Sequence, residues 1–116
     1  DTMSVEERFQ NETLRPILKL QNPLLIEVFH NYIEKRKGVF YELSLEKKLD
    51  YIESSLIKDQ KFRNSVKGML IGHFTVAEYG IYKQQSSSLN KRMMNLVIER
   101  LKDQVQLLEV PLKKVV

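Results

Sequence analysis

LNKRMMNLVIERLKDQVQLLE, residues 89–109, decides the fold. Leu89, Met93, Leu96, Val97, Leu101, Val105 and Leu108 recur at spacings of three and four, the period that gathers apolar side chains on one face of an α-helix. Met94, Ile98 and Leu107 widen the stripe beyond a single seam, so the segment reads as a bundle-core or dimerisation helix, with Met93 and Met94 as adaptable packing surface. The serines at 86–88 supply its cap and Pro111 closes it, which makes it the last and longest helix that the pattern predicts.

The same period runs back to the start of the chain. Ser4 is placed to cap a short helix over 5–10, with Glu6 and Glu7 facing the N-terminal dipole. Thr13 caps a second over 14–20, since Pro16 is tolerated in a first turn. Asn22-Pro23 is the clearer start signal, opening a helix that carries Leu24, Leu25, Val28, Phe29, Tyr32 and Ile33 and ends at Gly38 after the basic turn Lys35-Arg36-Lys37. Residues 39–43 have strand-like composition, but no second such run exists to pair with them, so they read as a packed connector. Ser44 then caps a helix through Leu45, Leu49, Ile52 and Leu56. A turn at Lys58-Asp59 leads to another, with Phe62, Val66, Met69 and Leu70 inward and Gly72 at its end. Gly68 and Gly72, four apart, suggest close helix approach together with a C-cap. Thr75 and Glu78 have capping-box spacing and open a short helix to about residue 83.

The expected fold is therefore all-α: one compact domain over 1–110, of five to seven helices ending in a long amphipathic one, followed by a tail at 111–116. Length agrees, because 116 residues is close to the commonest domain size. No cysteine is present, which excludes a disulfide scaffold, a thiolate zinc site and a cysteine nucleophile. No apolar run of membrane-spanning length occurs, and residues 5–9 are too charged for a signal peptide, so a cytoplasmic chain without a membrane partner is expected. The first residue is Asp1 and not methionine, which leaves room for a native segment upstream.

The formal charge of +4 is unevenly spread. Residues 1–34 hold three basic against six acidic side chains, 35–67 hold nine against five, and 68–116 hold seven against four. Most of these alternate in sign at helical spacing, as solvated faces do. The basic remainder nevertheless contains a hairpin of helix-turn-helix length at 45–71, whose second helix offers Lys61, Arg63, Asn64 and Lys67 for phosphate or base contact. If Lys61, Arg63 and Lys67 converged with Lys91 and Arg92, they would define an electrostatic binding surface.

Motifs that carry chemistry are few. Glu27 and His30 have the Glu-x-x-His spacing of di-iron bundles, but that chemistry needs a second such pair, and none exists. His30 with Glu34 is then expected as a surface contact, and no metal, cofactor or catalytic residue is assigned. His73 sits at a helix break with Glu78, Tyr79 and Tyr82 close in sequence, which makes these four the candidate pocket for a small molecule. No Gly-x-Ser-x-Gly elbow or glycine-rich phosphate loop occurs.

The segments KFRNS at 61–65 and KGM at 67–69, FTV at 74–76 and LNKRMMNLVIERL at 89–101, together with TLRP at 13–16 and SLEKKLDYIE at 44–53, resemble a family of small bacterial helical proteins labelled "glyoxalase-related". The resemblance spans about residues 11–109 and implies an all-helical chain, but none of its motifs is tied to a known reaction. The metal-dependent glyoxalases are built from paired βαβββ modules with histidine and glutamate ligands on strands. Two histidines in a helical pattern do not reproduce that ligand set, so no catalytic residue is carried over.

The expectation for function is a protein-interaction module, self-associating as a homodimer or binding a protein partner. The alternatives are small-molecule binding or glyoxalase-related catalysis beside His73, and nucleic-acid binding through the hairpin at 58–67.

Overall fold

Ser4 opens the first helix as expected: its Oγ accepts the Glu7 N–H at 3.0 Å, with Glu6 and Glu7 in the first turn. In the computed structural model, which describes residues 2–109, this helix, α1 (Val5–Phe9), does not give way to a separate one. It passes through a π-helical turn, Gln10–Leu14, directly into α2 (Arg15–Lys35). The wider turn lets Phe9 and Leu14, five residues apart, both enter the core. Thr13 is accordingly no cap. It is buried in the π turn and donates through Oγ1 to Glu78 Oε2 at 3.1 Å.

Asn22-Pro23 is not a helix start either, because Pro23 lies inside α2. An interior proline gives up one backbone hydrogen bond and crowds the preceding turn. Two tertiary features hold the helix together across it. Leu18, Leu25 and Ile26 are buried on either side, and the Asn22 and Gln104 side-chain amides exchange two hydrogen bonds of 2.7 Å. The α2 helix ends after Lys35, where Lys37 (φ 64°) and Gly38 (φ 65°) both take left-handed backbone. That conformation costs lysine about 1–2 kcal/mol and glycine almost nothing. A side chain at Gly38 would also stand 3.0 Å from the Tyr41 ring.

The strand-like stretch is a connector, as expected: Val39–Glu42 forms a 3₁₀ turn that buries Phe40. Ser44 caps α3 (Leu45–Ile57) and Asp59 caps α4 (Gln60–Ile71), each accepting a backbone N–H three residues on. Gly72 ends α4, but Gly68 faces open space, so the paired glycines do not mark a close helix crossing. The capping box of α5 (Val76–Gln84) is fully formed, Thr75 N–H donating to Glu78 Oε1 at 2.8 Å and Glu78 N–H to Thr75 Oγ1 at 3.1 Å.

The last helix, α6 (Ser86–Asp103), is shorter than its sequence pattern. After 18 residues it breaks at Gln104, and the stripe continues through a 3₁₀ turn, Val105–Leu108, so α2, with 21 residues, is the longer element. The Gln104 side chain explains the break, turning back onto the Arg100 carbonyl at 3.0 Å while pairing with Asn22. The serine run lies inside the first turn and Gln85 occupies the cap position without a side-chain bond. Pro111 and the tail at 111–116 lie outside the described residues.

Six α-helices and no strand are thus present among the described residues, an all-α domain. The α6 helix is its axis, touching α2, α3, α4 and α5, with Leu89, Met93, Met94, Leu96, Val97, Ile98 and Leu101 all buried. No described helix is long and apolar enough to cross a membrane.

Candidate functional site

The residues singled out from sequence do not come together. His73 is exposed, just beyond the end of α4, and lines none of the grooves described below. Glu78 has both carboxylate oxygens occupied, one by the capping box and one by Thr13. Tyr82 is buried and donates to Asn90 Oδ1 at 2.6 Å, and Tyr79 is exposed beside it with ring centroids 5.7 Å apart. Three of the four members therefore hold or flank α5, and no cavity joins them to His73.

The basic residues also part company. Arg63 lies along the α3–α4 turn and donates to the Leu56 carbonyl at 3.4 Å. Arg63 and Lys67, four apart, point away from Lys61, which stands on another side of α4 at 100° per residue. Lys91 and Arg92 line a separate polar groove with Arg15 and Glu99, where Arg92 donates to Gln10 Oε1 at 3.0 Å. No single surface gathers all five.

His30, expected at the surface, is turned inward and only 7% exposed, with neither ring nitrogen hydrogen-bonded. Glu27 remains exposed, so the Glu-x-x-His pair does not converge. On α2, His30 lies between the buried Ile26 and Ile33, and burial of that stripe carries the imidazole in with it.

Two surfaces do have the makings of a site. The first is an apolar groove of about 390 Å³ between α1 and α5, lined by Met3, Val5, Phe9 and Ile81, with Arg8, Glu12 and Thr13 at its margin. A run of edge-on rings, Phe9–Phe74 at 5.4 Å and Phe74–Tyr82 at 5.6 Å, fastens α5 beside α1. From α5 the groove takes Ile81, and other apolar side chains of this helix are exposed as well. Val76, its first residue, is 92% exposed, while Ala77 and Ile81, four apart, share another exposed face of the helix. Sequence reading took this helix for its capping box and tyrosines. The signal it passed over was Val76 and Ile81, apolar residues with no place in the helix's inward stripe.

The second surface is built on α2, α3 and α4 around Tyr32, Arg36 and Asp59. Asp59 Oδ1 caps α4 at the Phe62 N–H (3.1 Å), and Oδ2 accepts from the Tyr32 hydroxyl (2.8 Å) and from Arg36 Nη2 (3.0 Å). Arg36 lies flat on the Tyr32 ring, 3.4 Å from its centre, and donates to the Tyr32 carbonyl. Beneath, Phe29 touches Tyr32, Phe40, Tyr51 and Phe62.

The electrostatics follow from this arrangement. Hydrogen bonds from Tyr32 and from the Phe62 N–H, with Arg36 alongside, hold the Asp59 carboxyl below its ordinary range. Burial, then the bond to Asp59, pushes the Tyr32 phenol up to about 12. At neutral pH the hub is thus a carboxylate, a guanidinium and a neutral phenol whose proton is already committed. Tyr51, whose buried hydroxyl has no hydrogen-bond partner, is also raised by burial, against a lowering pull from Arg36.

This hub separates two grooves. Behind it lie Tyr51, Ser54, Ser55 and Lys58. In front, a groove of about 300 Å³ runs between α2 and α4, with Asn31 and Lys35 on one wall and Lys61 and Ser65 on the other. Each wall is one lysine and one neutral polar side chain four residues apart, and Val28 and Phe62 line the groove between them, with the buried Tyr32 at its edge under Arg36. By sequence Lys61 groups with Arg63, Lys67, Lys91 and Arg92, whereas the lysine it meets across this groove is Lys35. Its groove neighbours Lys35 and Arg36 were read as helix-end charge, because their meeting across α2 and α4 is a tertiary fact.

Comparison with family models, curated proteins and solved structures gave no match.

Proposed function

We propose that the chain is a protein-interaction domain that pairs with a second copy of itself through the α1/α5 face. The observation that carries this reading is a set of exposed apolar side chains at one end of the molecule, the groove of Met3, Val5, Phe9 and Ile81 together with Val76, almost wholly exposed at the start of α5. Exposed apolar side chains gathered in one region mark protein contact. The rim supports a second copy as the partner. Arg8 and Glu12 lie one helical turn apart, 3.7 Å from each other. Across a two-fold axis, the arginine of one copy can face the glutamate of the other, so the same patch is complementary to itself.

Sedimentation velocity over a range of protein concentrations tests the proposal. Wild type is expected to sediment as a dimer that dissociates on dilution, and Val76→Asp with Ile81→Asp as a monomer. Both residues are exposed, so neither change disturbs the core. A wild type that is monomeric throughout, or a variant that dimerises equally well, overturns the reading.

A further inference from the structure

The groove between α2 and α4 has an unusual balance of charge. Of its ionic side chains, Asp59 and Arg36 neutralise each other at 3.0 Å, and Asp59 has both oxygens engaged. Lys35 and Lys61 form no ion pair or hydrogen bond among the described residues. They stand on opposite walls with an open groove between them, so two positive charges face a common space without a counter-charge. Asn31 and Ser65, one turn along each wall, add an amide and a hydroxyl donor. Below them part-buried Phe62 borders the groove, while the Tyr32 ring is buried against Arg36, 3.4 Å from its centre, and Phe62, 4.0 Å away.

We infer that this groove binds a small phosphate monoester whose organic part is an apolar ring. A phosphate monoester carries close to two negative charges at neutral pH and presents three acceptor oxygens, enough to engage donors from both walls at once. A carboxylate or sulfate ester brings one charge and leaves a lysine unmatched. The ring fits against Phe62, which is part-buried, part of its surface being left to the groove. A volume of about 300 Å³ lies at the lower end of the small-ligand range, so the occupant is a compact ester. Arg36 does not turn to the ligand. Its stacking on Tyr32 and its pairing with Asp59 keep the two helix ends at a fixed separation, which presets the spacing of the lysines.

The inference is independent of self-association, which uses the opposite end of the molecule. It is tested by titrating the whole chain with phenyl phosphate and following backbone amide shifts. Saturable changes are expected in residues 28–36 and 59–65. Phenyl sulfate, inorganic phosphate and phenol should each bind at least about tenfold more weakly, a difference of about 1.4 kcal/mol. The Lys35→Gln, Lys61→Gln double variant should lose at least as much while keeping the folded amide spectrum outside residues 28–36 and 59–65, because neither lysine holds an ion pair or hydrogen bond among the described residues. Binding should also weaken as the pH falls through about 6, where the ester becomes a monoanion. Absence of saturation overturns the inference, as does a double variant that binds like wild type. A single-stranded oligonucleotide that binds more tightly than phenyl phosphate and shifts Lys91 and Arg92 as well would overturn it in favour of a nucleic-acid surface.

Discussion

At the α5 end of the molecule the polar side chains are occupied by structure and the apolar ones are left outside. Glu78 and Thr75 complete a helix start, Thr13 reaches across from the π turn, and Tyr82 is held by Asn90, while Val76 and Ile81 face solvent. At the α2–α4 end the order is reversed. Phe29, Phe40 and Tyr32 are buried beneath an Asp59–Arg36 pair, and Lys35 and Lys61 are left facing the groove between α2 and α4. Surface that is left over differs in kind between the two ends, apolar at one and cationic at the other. That contrast is why the first is assigned to a protein contact and the second to an anionic ligand.

The largest expected effect lies at the cationic end. Asp59→Ala removes the cap of α4, the acceptor for Tyr32 and the partner of Arg36 together, at an expected cost of about 2–3 kcal/mol by chemical denaturation. Asp59→Asn, which keeps a capping oxygen, should recover part of that loss. Equal losses for the two variants would mean that the charge, not the cap, organises the hub. At the α5 end, Glu78→Ala should cost about 1–2 kcal/mol, the worth of a cap plus a stranded Thr13 hydroxyl. Faster amide hydrogen exchange should then be confined to α5; exchange spreading into α6 would show the two ends to be one cooperative unit.

On α2, beside Phe29 and Asn31, lies His30, where a gain is expected. Its imidazole is buried without a partner, so His30→Leu should raise stability by about 1 kcal/mol, and a loss would reveal a partner for the ring. The smallest effect is one of pH. Because the Tyr32 phenol is raised from 10.0 to about 12, its contribution is fully present below pH 10 and is lost as the pH climbs to about 12. Asp59 acts in the opposite sense. Its lowered carboxyl contributes above the ordinary value of 3.8, and that contribution is lost as the pH falls through the lower folded value. Tyr32→Phe should flatten the alkaline fall in stability, leaving the shares of Tyr41 and Tyr51, whose phenols burial also raises. An unchanged alkaline slope would remove the hub's phenol from the account of stability.

Helical class and most helix starts were legible because they are local. Ser4, Ser44 and the Thr75–Glu78 box act within one turn, and the stripe from Leu89 to Leu101 needs only a period. What was misread depended on partners far away in the chain. Thr13 has the residue type of a cap, but Glu78, sixty-five positions on, holds it inside a π turn. Asn22-Pro23 looks like a helix start until Gln104 is placed beside it, and the same glutamine shortens the last helix. The candidate sites failed for the same reason. His73 and the tyrosines are neighbours in sequence but not around a pocket, whereas Lys35 and Lys61 are neighbours only after α2 and α4 pack.

The most direct measurement compares backbone amide shifts of the wild-type chain at low and high protein concentration. Pairing through the α1/α5 face predicts concentration-dependent shifts at residues 3–13 and 76–81, with residues 31–36 and 59–65 unmoved. Shifts that fall on the α2–α4 groove instead, or no change at any concentration, would contradict it.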